Sequence, residues 1–583
     1  MKKLLSLALA LMLALSCVGV VARPAHAENA SALPKVGDVT NGFEVKEIQP
    51  FALVGADLVL FEHQRTGAKL LWIANADTNR LFQLTFPTRP NNDMGLPHVF
   101  EHATLFGSDK YPSTSLFFNI SYQTYNTYVN AYTTDACTSY PLASLSEKQL
   151  LNLADYYVDS CFHPLIMSDE GIFRTQAWHY DLNSLDGELT YEGVVYSEMQ
   201  GAMTLERTAL EYANDLTFPG AALSYSYGGL PENIPEMTWE DVKAYHDKYY
   251  HPSNCLAILY GQFDEYEAFL KLLDEAFAPY EKVEFTFEDA GYKPIEKAQV
   301  ASFGYPMAEG TDVTNQTVII YYILCPGMKG DVEQENLIDN VSSLLNQNGS
   351  VLSQSFKRAF PSGNLSCGRE VAGPDDAIIF QATGMNRDDA EKFKALVDEA
   401  LLDVANNGFP QDMVDSAMTS LNISAKLAPE NGDPAEGVVY SFAYDYAVTG
   451  DPFAFVNQMA SPSRIDEENQ KGLLKEAVGK WLTNNELYTL TTTYPAPGEK
   501  EKVDAALREE LAKIKAGMSQ EQLQAIVDET NAAPKEEDTS ELMAKIKAIT
   551  VENLPEEVKA YTVNDFTDDK GIRHIEAVAG VDG

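Results

Sequence analysis

Cysteine and basic residues are both scarce in this chain, and each scarcity removes a class of protein. There are six cysteines among 583 residues, one of them, Cys17, close to the start. The other five, Cys137, Cys161, Cys255, Cys325 and Cys367, are odd in number and form no C-x-x-C pair, so neither a disulfide framework nor a cysteine zinc site is indicated. The 42 lysines and arginines face 86 acids, a formal net charge of −44. A phosphate backbone needs a basic face, so this balance argues against nucleic acid as a partner and against docking to anionic lipid. It reads as a solvated acidic surface, with attraction of cationic peptides as the functional alternative.

Long apolar runs are missing after the first two dozen positions. Lys2-Lys3, the apolar run of residues 4 to about 21, and Ala25-His26-Ala27 together have the layout of a secretory signal peptide. Residues 1–27 are therefore expected to be a cleaved leader, and the mature chain to be secreted or extracytoplasmic in a bacterial cell envelope. Retention as an anchor is the alternative, since the run is just long enough to span a bilayer. Ala14-Leu15-Ser16 is a poor lipobox for Cys17. No stable membrane insertion is expected after cleavage, and the length allows two to four domains.

Against that background, His98-Val99-Phe100-Glu101-His102 carries the most chemistry. It has the spacing H-x-x-E-H, the inverted zinc-peptidase motif. On a helix, His98 and His102 share a face and both reach one Zn²⁺, while Glu101 beside them is placed to act as general base toward a zinc-activated water. The flanking sequence predicts that helix: Asn91-Asn92-Asp93 and Gly95 as an approach turn, Pro97 at its first position, and Gly107 as its stop. A catalytic zinc takes a third protein ligand. Spacing alone leaves Asp186, Glu188, Glu192, Glu198 and Glu206 open.

Strands are predicted within residues 51–88, then a strand at 125–133, a turn at Thr134-Asp135 and a return at 138–143. Helical periodicity follows at 147–161, 169–182, 191–213 and 240–250, and 256–260 reads as a closing strand. Such an order indicates an α+β fold. From about Pro294 the order loosely repeats without a second H-x-x-E-H: strand 317–324, helix 333–345, strand 377–382, helices 388–405 and 410–426. Between 498 and 560 the composition becomes charged and alanine-rich, which on composition alone reads equally as a solvated helical tail.

The stretch from Gly95-Leu96-Pro97-His98 to Gly107-Ser108, with Lys110-Tyr111-Pro112, Asn130-Ala131-Tyr132-Thr133, Ser139-Tyr140-Pro141-Leu142 and Cys161-Phe162-His163-Pro164-Leu165, resembles the pitrilysin/insulinase family of zinc peptidases, in its presequence-protease and falcilysin branch. The resemblance covers what that family has as its N-terminal half. It implies two tandem homologous insulinase-like (LuxS/metallopeptidase-like) α+β domains: a catalytic one over 28–285 and a non-catalytic one over 290–497. A helical hairpin linker over 498–560 and a short start of a third domain over 561–583 would follow. It implies one Zn²⁺ per chain held by His98, His102 and Glu198, the last within Gly193-Val194-Val195-Tyr196-Ser197-Glu198-Met199-Gln200-Gly201. Glu192 is the runner-up; six residues earlier on an assumed helix, it has at most a supporting role around the ligands. Asn130 and Ala131 are expected on an edge strand that grips an extended substrate. His163, His179, His246 and His251 are assigned no catalytic role. The expected activity is endoproteolysis of unstructured oligopeptides. The alternative is a zinc-loaded peptide-binding half with little turnover until a partner subunit, or self-association, supplies the opposing wall.

Overall fold

The computed structural model describes residues 33–286, 291–427, 434–532, 537–548 and 562–578. The expected leader lies outside them, as do 533–536 and 549–561 of the charged region. Central strands such as Ala56–His63 and Lys69–Ala74 are apolar on both faces, and such strands need cover on both sides. They lie in a nine-stranded sheet ordered Val39–Thr40, Phe43–Phe51, Ala56–His63, Lys69–Ala74, Leu256–Tyr260, Arg80–Pro87, Cys137–Ser144 and Tyr128–Val129, with Tyr132–Thr133 also paired to Cys137–Ser144. All pairings are antiparallel except Leu256–Tyr260 on Lys69–Ala74. Val59, Phe61, Trp72, Phe82, Leu84, Phe86 and Tyr140 face one core, which also buries Val99, Phe100 and Ala103. The alternate residues Leu58, Leu71, Ile73, Leu81 and Ile258 face Val438, Val439, Phe442 and Tyr446 of the helix Pro434–Thr449.

A second, five-stranded sheet runs Gln299–Met307, Tyr488–Pro497, Thr317–Leu324, Ala377–Met385, Asn364–Glu370. Its first pairing is parallel and the rest antiparallel. The strand order repeats that of the first sheet: the last strand in sequence inserts parallel to an early one, and the far edge strand precedes its neighbour in the chain. One face packs on the helices Val332–Leu345, Val351–Ala359, Ala390–Asn407 and Leu473–Trp481. The other places Val318, Ile320 and Tyr322 against Ala209 and Ala213 of the helix Leu205–Thr217 and against Phe218, which follows it.

Several predicted elements differ in form. The strand expected at 125–133 is two short strands, Tyr128–Val129 and Tyr132–Thr133. Opposite the gap stands Pro141, which has no N–H to donate, and the Asn130 carbonyl accepts instead from the Tyr157 hydroxyl at 2.9 Å. The helix expected at 169–182 stops at Gln176, and His179–Asp181 turns into a hairpin with Thr190–Glu192. The single helix expected at 191–213 is a strand, then Val194–Ala202, then Leu205–Thr217.

The charged segment packs rather than trailing into solvent. Leu507, Leu511 and Ile514 of Glu499–Gly517, with Ile526 and Val527 of Gln520–Thr530, cluster on Leu182 and Leu189 of that hairpin. The helix Ser540–Ile546 buries Met543 and Ile546 in the first core. Residues 562–567 and 573–578 form a separate two-stranded hairpin. Among the described residues no helix is long and apolar enough to cross a membrane.

Candidate metal centre

The motif helix Leu96–Thr104 begins at Gly95, whose φ of 76° belongs to the left-handed region. Leu96 takes the first position and Pro97 the second, where a missing N–H still costs nothing. Val99, Phe100 and Ala103 anchor the buried face, and the Phe100 ring lies 4.3 Å from that of Tyr250. This leaves His98 and His102 side by side, ring centroids 4.9 Å apart and nearly perpendicular.

Glu198, on the helix Val194–Ala202, faces them. Its carboxylate oxygens lie 3.8 Å from His98 Nε2 and 3.6 Å from His102 Nε2. One donor atom from each of the three residues falls within 4.8 Å of the others. His98 Nδ1 sits 3.3 Å from the Gly228 carbonyl, which can only accept, so the proton is on Nδ1 and the Nε2 lone pair points at Glu198. Burial pulls the His98 imidazole down to about 4, with the neighbouring His102 adding to the effect. Burial also lowers His102, against the opposing pull of Glu198. Two neutral imidazoles and a carboxylate converging on one point match the His₂Glu donor set of a zinc site. The amide of Gln176 is buried beside His102.

Glu101 lies next to this cluster and is only 9% exposed. The Thr133 hydroxyl donates to its Oε2 at 2.6 Å. Burial pushes the Glu101 carboxyl up to about 7, with the Thr133 hydrogen bond opposing and Glu198 reinforcing the rise. A carboxylate held near neutrality can both take and return a proton.

Asn130 and Ala131 lie at the interruption between the two short strands, on the outer edge of the sheet, three and two residues before Thr133. Asn130 is exposed, and its amide donates to the Tyr128 hydroxyl at 3.2 Å. Glu192 is on a strand and not on the Glu198 helix; the Ser197 hydroxyl meets its carboxylate at 3.5 Å, and it does not join the histidines. Gly193 separates the strand that holds Glu192 from the helix that holds Glu198, so the two carboxylates are not related by a helical turn. His179 is likewise in a strand, its Nδ1 on the Arg174 carbonyl at 2.8 Å, and His246 Nε2 is 3.2 Å from the Cys161 carbonyl. Gln176 and Gly228 had no sequence signal, and Thr133 was marked only as the end of Asn130-Ala131-Tyr132-Thr133; each reaches the site through a fold contact.

An α+β scaffold that sets an H-x-x-E-H helix against a glutamate from a later helix defines a class of metallopeptidase-type folds. Comparison with known proteins makes the class specific. Residues 236–421 match the Peptidase M16 inactive domain, a span that begins after all four clustered side chains and lies mostly in the second sheet unit. Protein HypA of Clostridium perfringens is 28% identical over 537 residues, 89% of this chain and 54% of that protein. Presequence protease 1 of Arabidopsis thaliana is 26% identical over 561 residues, 91% of this chain and 51% of that one. The mitochondrial presequence protease of Mus musculus is 29% identical over 466 residues, 78% and 44% of the two chains. The chain spans about half the length of the curated relatives it matches. In fold it is similar to a protease from Helicobacter pylori, with TM-score 0.57 and 15% identity over 77% of this chain and 99% of that one. It is also similar to pitrilysin, with TM-score 0.53 and 15% identity over 82% and 50%. The chain is thus similar over most of its length to presequence proteases, and in fold to pitrilysin.

Proposed function

We propose that this protein is an exported zinc endopeptidase that cleaves unstructured oligopeptides, built as two tandem family domains over 28–285 and 290–497 with a helical linker after them. The observation that carries the reading is the convergence of His98, His102 and Glu198 with Glu101 buried beside them. The relatives' name, presequence protease, supports a peptide substrate. One Zn²⁺ held by the three side chains would supply Lewis-acid activation of water and polarisation of the peptide carbonyl. Glu101 accepts the proton from the attacking water and returns it to the leaving amine, with Thr133 fixing the orientation of its carboxylate. The outer edge at residues 128–133 carries no further strand among the described residues, so an extended peptide can add there along Asn130 and Ala131.

A second reading is favoured by the openness of the cluster, since the Glu198 side chain is 51% exposed. In that reading the chain captures peptides and turns them over slowly until a partner subunit, or a second copy, covers this side. Zinc analysis of the full chain, together with cleavage of an unstructured peptide with and without chelator, separates the two. One zinc per chain and chelator-sensitive cleavage are expected. Full zinc occupancy in Glu198→Ala would overturn the ligand assignment, and zinc without cleavage would select the capture reading.

A further inference from the structure

The hydrogen bond that fixes His98 comes from a loop, and loops hold position only when something clamps them. The segment 225–230 is clamped from both sides. Ser226 N donates to Asp93 Oδ1 at 2.8 Å and Leu230 N to the Asp93 carbonyl at 2.8 Å, tying the loop to the turn that precedes the motif helix. Gly95 and Gly229 let the two backbones touch: a Cβ on Gly95 would meet the Gly228 carbonyl at 2.7 Å.

From the far side comes a charged pair that the reaction does not use. Ser226 Oγ donates to Glu211 Oε1 at 3.0 Å, and Glu211 pairs with Arg207 at 3.5 Å along the helix Leu205–Thr217. The Arg207 guanidinium lies 5.0 Å over the Tyr227 ring. Its Nη2 is buried with no hydrogen-bond partner, pressed where a Gly228 Cβ would come within 2.9 Å of it. Burying such a pair costs desolvation that apolar side chains would avoid, so packing alone does not account for it.

We propose that Arg207 and Glu211 are positioning residues for the metal centre. Through Ser226 and Tyr227 they hold the Gly228 carbonyl against His98 Nδ1, fixing the tautomer and ring angle that present Nε2. This rests on the zinc reading above. Outer-shell partners of metal-bound histidines are worth about 10- to 100-fold in metal affinity. The test uses the full chain, with the Zn²⁺ dissociation constant from competition with a chromophoric chelator and the visible spectrum of the Co²⁺-substituted protein. Arg207→Met and Glu211→Leu are expected to weaken Zn²⁺ binding by about 10- to 100-fold and to alter the Co²⁺ spectrum. Glu211→Gln, which still accepts from Ser226, should stay closer to the parent. If the larger changes do not fold, Ser226→Ala removes one hydroxyl and is read in the same way. Parental affinity and spectrum in these variants would overturn the assignment. A parent protein that binds no Zn²⁺ would overturn the metal reading itself, and this inference with it.

Discussion

At Glu101 one hydrogen bond and one desolvated carboxylate meet. The Thr133 hydroxyl holds Oε2 while burial raises the proton affinity, so the group is oriented before any substrate arrives. Glu101→Gln preserves the shape and can still accept from Thr133, but it cannot take a proton. Zinc content should be unchanged while hydrolysis falls by about 10²- to 10⁴-fold. Metal analysis beside a peptide-cleavage assay checks this, and undiminished turnover would remove Glu101 from the mechanism. The pattern H-x-x-E-H made His98, Glu101 and His102 visible as a unit, because helical spacing alone puts them on adjoining faces. Thr133 lay within view as part of Asn130-Ala131-Tyr132-Thr133, yet nothing in its neighbours says that its hydroxyl meets Glu101.

Elements bring Glu198 to the two histidines. Glu198 reaches the histidines because its helix starts immediately after Gly193, hard against the turn that ends the helix Glu170–Gln176. A Cβ on Gly193 would lie 2.3 Å from the Ala177 carbonyl oxygen and 2.8 Å from Trp178 Cα. Gly193→Ala must move one backbone or the other, at about 1–3 kcal/mol or more. Lower thermal stability and weaker zinc binding are expected together. Parental values for both would show that the helix start is not fixed by this contact. The helix Pro434–Thr449 escaped sequence reading for a related reason. It packs on the first sheet through Val438, Val439 and Phe442 while Ala447 and Val448 join other clusters, so it is apolar nearly all round and shows no amphipathic stripe.

Across the whole molecule, the two sheets enclose carboxylates that belong to neither active-site role. Asp135 precedes Cys137–Ser144, Glu370 ends a strand of the second sheet, and Asp445 lies on the helix Pro434–Thr449. Tyr444 donates to Asp135 at 3.3 Å. Burial pushes Glu370 and Asp445 each up to about 7 and raises Asp135. In the unfolded chain these groups ionise near their ordinary values of 4.5 and 3.8, so between about pH 4 and pH 7 the folded state binds more protons than the unfolded one. Stability from these sites is therefore full below about pH 4 and is lost as the pH rises toward 7. Glu370→Gln and Asp445→Asn should each flatten that decline. Thermal melts of parent and variant across pH 5 to 8, compared as differences so that other titrating groups cancel, provide the measurement. An unchanged pH slope in both variants would rule the mechanism out.

The sequence by itself determined the H-x-x-E-H helix, the strands 317–324 and 256–260, and the helices at 333–345 and 410–426 to within a few residues, because local periodicity and turn chemistry act over spans of ten to twenty residues. It also marked Glu198, though only through the resemblance of its surrounding segment, since five acids satisfied the spacing. Tertiary structure decided the rest. It broke 125–133 opposite Pro141, turned 190–192 into a strand, and docked the charged helices of 499–546 on the first unit through Leu511, Met543 and Ile546. It also delivered the Gly228 carbonyl, 130 residues from His98, to the ring that it orients. Each of these outcomes depends on a partner remote in sequence, and a remote partner leaves no period in the local pattern that could announce it.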